Sequence, residues 1–208
     1  PMPAIPMFVF DAPALSSLWM FFLFGILMGF AGLIFNKLLM FSLKQTDKLS
    51  FKQKMIYVAL VAMLIGALSL HFPALVGGGY WIIERSLSLS PGIGTLILII
   101  IIRYVTTMLC YVCGIPGGIF APMLALGTLL GLVSYDLLSL LITRVDVHPG
   151  MFAVAGMGAL FSAAVRAPLT GIILVVEMTQ NYSLILPLMV ICLTSTTIVQ
   201  MAKNPPIY

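Results

Sequence analysis

Apolar residues fall in long blocks with few interruptions, over positions 18–43, 55–70, 93–112 and 123–142, with a shorter last run over 185–201 that is expected to pack with 151–165 and 169–178 as one helical unit. Blocks of this length, so poor in charge, predict helices that cross a bilayer. The first is long enough to require tilt. Small residues recur at helical spacing within them: Gly25, Gly29 and Gly32 in the first, Gly127 and Gly131 in the fourth. Such positions let another helix approach closely. Positions 151–165 are richer still, with Ala153, Ala155, Gly156, Gly158, Ala159, Ser162, Ala163 and Ala164, which predicts a helix buried among others. Arg166-Ala167-Pro168 ends that run, and 169–178 is too short to span alone. The predicted fold is all-α, built of tilted spans and broken re-entrant helices.

Polar positions punctuate this pattern. Residues 1–13 are proline-rich and read as an irregular lead-in, with Asp11 or Ser16 placed to cap the first helix. Asn36 and Lys37 break the apolar text of that helix. Lys44, Lys48, Lys52 and Lys54, against Asp47, make 44–54 a basic loop that the positive-inside rule puts in the cytoplasm. Gly77-Gly78-Gly79 precedes a short segment, 80–89, that reads as re-entrant and carries Glu84 and Arg85 as interfacial charges. Arg103 stands near the middle of a span, where it must face protein, water or an acidic partner. Positions 143–150 form a polar turn in which His148 reads as a solvated loop residue.

The break at Gly114-Ile115-Pro116-Gly117-Gly118-Ile119-Phe120-Ala121-Pro122 separates two long apolar runs. Non-helical backbone at membrane depth is tolerated only where protein buries it or where it lines a cavity. Gly117 and Gly118 allow dihedrals that a Cβ forbids, and Pro122 suits a first helical turn. On this reading Gly118→Val disturbs the break more than Ala125→Val. The helix that follows presents its N-terminus, with the free amides of Ile119 and Phe120, to the cavity. Unpaired N–H groups and the positive dipole end attract anions.

Composition sharpens the picture. Of 208 residues 62% are hydrophobic and 8% charged, against about a quarter charged in soluble domains. Mean hydropathy is +1.18. The net charge of +4 comes from scattered residues, with no stripe fit for nucleic acid. Cys110, Cys113 and Cys192 lie in apolar helical text, and no neighbouring His completes a zinc set, so they read as packing residues. No Ser–His, His–Glu–His or paired-Asp arrangement supports an enzyme. No cofactor is expected, and no basic stretch followed by a short apolar one marks a signal peptide.

Gly118-Ile119-Phe120-Ala121-Pro122 matches the G-x-F-x-P motif of the CLC chloride channels and chloride/proton antiporters. The surrounding GGIFAPMLALGTLLG, the later AGMGALFSAAVRAPLTGIILVVEMT and NYSLILP resemble the second half of the same family, in order from about Phe10 to Tyr208. The resemblance implies two inverted halves around an anion path, of which residues 1–208 are the second. The first-half motifs G-S-G-I-P and G-x-E-G-P are absent, so a first half is an implied partner and the chain is expected to be part of a larger whole. It further implies chloride as the substrate, touched by the amides of Ile119 and Phe120 and the hydroxyl of Tyr208. Proton coupling and passive conduction both stay open. The family also implies a homodimer with one pore per subunit, integral to the lipid bilayer, here that of a bacterial inner membrane. A non-conducting membrane assembly subunit is the alternative.

A cysteine placed at Lys48 is expected to react with an impermeant thiol reagent from the cytoplasmic side only. Ready labelling from outside intact cells would reverse the topology.

Overall fold

The computed structural model describes residues 10–79, 92–114, 118–142, 147–203 and 207. The segment 80–89, with Glu84 and Arg85, lies outside them. Every element among the described residues is helical. The α-helices are α1 (Leu18–Asp47), α2 (Phe51–His71), α3 (Ile93–Val112), α4 (Phe120–Leu141), α5 (Pro149–Val165), α6 (Pro168–Thr179) and α7 (Ile185–Met201). Short 3-10 turns lead into α1 and α7 and follow α2. The stretches Leu15–Asp47, Phe51–His71, Ile93–Val112, Phe120–Leu141 and Tyr182–Met201 are each long and apolar enough to cross a bilayer. At 30 residues, α1 measures about 45 Å against a hydrocarbon core of about 30 Å, so it spans only with tilt.

As expected of one long span, α1 runs unbroken through Asn36 and Lys37, whereas its start and its link to α2 differ from the sequence expectation. Asn36 is buried, and its Nδ2 donates to the Ala164 carbonyl at 3.1 Å, an interhelical bond that engages the amide nitrogen. Neither Asp11 nor Ser16 caps α1; the chain enters through a 3-10 turn in which Ser17 Oγ donates to the Ala14 carbonyl at 2.6 Å. The basic stretch 44–54 is mostly helical, leaving only Lys48, Leu49 and Ser50 as the link between α1 and α2. A capping box makes so tight a link possible. Gln53 Oε1 accepts from the Ser50 amide at 2.9 Å, and Ser50 Oγ accepts from the Gln53 amide at 3.5 Å.

The centre of the bundle is α5, in which Gly150 through Ala164 are all buried. Lipid offers no hydrophobic drive to bring helices together, so close contact and interhelical hydrogen bonds must do it. Both are present. At Gly127 and Gly131 of α4, an added Cβ would run into the main chain of Gly156 and Phe152 of α5. Gly25 and Gly29 of α1 admit Thr194 and Ile198 of α7, and Gly32 admits Ala163 of α5. Ser195 and Thr196 of α7 donate to the Ala159 and Ser162 carbonyls of α5 at 3.1 and 3.2 Å. The helices α5, α6 and α7 pack as one unit, as their apolar faces predict.

His148 is more than a solvated loop residue. It is exposed, yet its Nδ1 accepts from the Gly150 amide at 3.0 Å and caps α5. Its ring lies 4.9 Å from that of Phe10, whose amide donates to Asn181 Oδ1 at 2.9 Å. This contact ties the lead-in segment to the start of α5 and to the link between α6 and α7. By contrast, α2 buries only Val61 and leaves most of its apolar surface outside this bundle.

Gly131→Val is expected to lower stability by about 1–3 kcal/mol or more through overpacking against main chain. Gly66→Ala, where a Cβ meets nothing within 4 Å, should be neutral or add up to about 1 kcal/mol. Thermal unfolding of the detergent-solubilised variants reads the difference, and equal midpoints would refute the backbone-to-backbone contact.

Candidate anion site

Ile119 is the N-cap of α4, with φ −84° and ψ −12°, and no side chain caps it. The first bond of the helical ladder runs from the Met123 amide to the Ile119 carbonyl at 3.1 Å. The amides of Ile119, Phe120 and Ala121 therefore precede the ladder, and Pro122 contributes no N–H at all. Among the described residues no group accepts from the amide of Ile119 or Phe120. Both side chains are turned to the protein: Ile119 is 1% exposed in the core, and the Phe120 ring lies edge-on to Phe161, centroids 5.4 Å apart. Anchoring the side chains leaves the main chain free to face a ligand. The 22 residues of α4 add the positive end of a macrodipole at that spot.

Gly118, Ile119 and Pro122 form one wall of a cavity of about 320 Å³. A stripe of α3, Arg103, Thr106, Thr107, Cys110 and Tyr111, also lines it, with Ile65 of α2 and Val76 and Gly77 after it. A volume near 320 Å³ holds on the order of ten waters, so an anion can enter with part of its hydration shell. Sequence reasoning asked what Arg103 faces but did not connect it with this cavity. The spacing 103, 106, 107, 110, 111, one face of a helix, was the available signal. Among the described residues Arg103 finds carbonyls rather than an acid: its terminal nitrogens donate to Leu75 O at 3.0 Å and Gly77 O at 2.7 Å.

The role expected of Gly118 is not the one seen. Its φ is not in the left-handed region, and an added Cβ meets nothing within 4 Å. Among the described residues of the break, Gly114 has a positive φ, +71°. Ala125 is fully buried against Gly79, so Ala125→Val carries a packing cost of its own. Gly117 and Tyr208 lie outside the described residues. The residue before Tyr208 is held, with the Ile207 amide donating to the Ala164 carbonyl at 3.3 Å. Of the three cysteines, Cys192 is buried as expected, whereas Cys110 is exposed. Among the described residues no three His, Cys, Asp or Glu side chains are grouped to hold a metal.

Residues 2–200 match the family model described as voltage gated chloride channel. The chain is 46% identical over 202 residues to an H(+)/Cl(-) exchange transporter ClcA of Vibrio parahaemolyticus, covering 96% of this chain and 43% of that protein. A protein of the same description from Salmonella typhi is 43% identical, covering 95% and 42%. Among solved structures, a slow cyanobacterial Cl-/H+ antiporter superposes with a TM-score of 0.94 at 38% identity, over 100% of this chain and 49% of that one. A eukaryotic CLC transporter, at 21% identity, shares the fold with a TM-score of 0.77 over 93% and 34%. The chain thus spans less than half the length of the relatives it matches. With its apolar helices and a family match over nearly its whole length, it is an integral membrane protein and belongs to the voltage gated chloride channel family.

Proposed function

We propose that this chain carries chloride across a membrane in exchange for protons, as the second half of a CLC-type inverted-repeat fold. The observation that carries the reading is the uncapped N-terminus of α4, with the Ile119 and Phe120 amides unmatched among the described residues, opening on a cavity inside an apolar bundle. Chloride is large and weakly hydrated, and oriented amides hold it without the trapping that a directly bound cation would cause. Exchange with protons, rather than passive conduction, is favoured because the relatives at 46% and 43% identity are described as exchange transporters. A midplane site between inverted halves takes helix ends from both, so a first half is the natural partner of the open side of this site. The largely uncovered surface of α2 suits lipid or that half. Tyr208 would add a hydroxyl donor to the anion, since the main chain just before it is tied to the C-terminal end of α5. Relatives from bacteria suggest the inner membrane as the location.

Reconstituted with its first half, the protein should drive chloride efflux from liposomes together with proton uptake. Chloride efflux with no proton movement would favour a channel, and no efflux would sink the reading. Tyr208→Phe is expected to raise the chloride dissociation constant roughly 2- to 10-fold, the worth of one hydrogen bond, by isothermal titration. An unchanged constant would remove Tyr208 from the site.

The apolar faces of α6 and α7 support a dimer of such subunits, since Ile173 is 56% and Ile185 40% exposed without a partner in this chain. Ile173→Trp together with Ile185→Trp should yield monomers on crosslinking. Persistence of dimers only would place the interface elsewhere.

A further inference from the structure

We propose that Arg103 is a positioning residue for the anion: a fixed charge in the cavity wall that raises anion occupancy at the N-terminus of α4 without touching the ion. The inference rests on the anion reading of that site. An arginine side chain stays protonated in proteins, and this one is 2% exposed. A buried charge is costly unless something of opposite sign balances it. Among the described residues, the one ion pair is Lys54 with Asp47, far along the chain from Arg103. Its two terminal nitrogens bind the neutral carbonyls of Leu75 and Gly77, and its Nε meets no acceptor among the described residues. Carbonyl dipoles offset part of a full charge, so a net positive potential remains in this wall.

The charge is also held still. Gly77 and Gly79 have φ of +73° and +87°, and a Cβ at Gly79 would sit 2.5 Å from both Arg103 Nη2 and Ala125 Cβ. The turn after α2 therefore clasps the guanidinium against α4. Arg103 and Gly77 line the same cavity as Gly118 and Ile119. In a low-dielectric interior a unit charge in a cavity wall acts strongly on an anion. With its terminal nitrogens engaged by carbonyls, the guanidinium attracts the ion from the wall and does not chelate it. The remaining explanation is that Arg103 merely staples the turn to α3, and the two differ in what a lysine does. Lysine keeps the charge but lacks the planar fork that reaches two carbonyls.

The test is chloride titration of the purified, complete protein, with chloride flux measured in liposomes. Arg103→Lys should keep chloride affinity within about 2-fold of the parent, and Arg103→Gln should lower it about 10-fold, with KM rising more than kcat falls. As an independent arm that keeps Arg103, Thr106→Glu, on the same wall, should weaken binding about 10-fold relative to Thr106→Gln. Equal losses in Lys and Gln that track thermal stability would reduce Arg103 to a staple and overturn the proposal. So would matched affinities in the Thr106 pair, which decides the matter if Arg103→Gln fails to fold. Absence of chloride binding by the parent protein would instead overturn the anion reading itself.

Discussion

Where Gly127 and Gly131 of α4 meet the main chain of Gly156 and Phe152 in α5, two helices touch with no side chain between them. The other packing follows from that contact. With α5 buried along its length, α1, α4, α6 and α7 can only be placed around it. In a lipid solvent this is the strongest device available, because dispersion contact and hydroxyl-to-carbonyl bonds replace the hydrophobic effect. The anion site inherits its geometry from it. The position of α4 along α5 brings Phe120 against Phe161, and so fixes the direction in which the Ile119 and Phe120 amides point.

The helices were legible because a bilayer forces each span to satisfy its own backbone, so long apolar runs have only one outcome. Glycine faces were legible for a related reason: Gly25, Gly29, Gly32, Gly127 and Gly131 recur at helical spacing, and all five meet a neighbouring helix. The all-α class and the family followed from these runs and from the motif around Ile119. What a buried polar residue pairs with was not legible: Asn36 donates to the carbonyl of Ala164, 128 positions away. The partners of Arg103 were hidden for the same reason, since they are main-chain atoms of a turn whose shape depends on Gly77 and Gly79. Gly118 shows the converse: a glycine in a motif does not by itself reveal its dihedral, and among the described residues of the break the positive φ is at Gly114.

The proposed anion site would be half of a binding surface, since the chain spans less than half the length of its relatives. The cavity lining holds unpaired donors and a fixed cation, with apolar packing behind. Such a surface is selective by what it lacks: no carboxylate among the described lining residues would repel an anion, and none would neutralise the amides.

The carbonyl of Ala164 has a further consequence. It accepts from Asn36 on α1 and from the Ile207 amide near the other end of the chain, at 3.1 and 3.3 Å. One oxygen thus fastens two segments from opposite ends of the chain to the C-terminal end of α5. A substitution that displaces this carbonyl would therefore be felt both along α1 and in the main chain just before Tyr208.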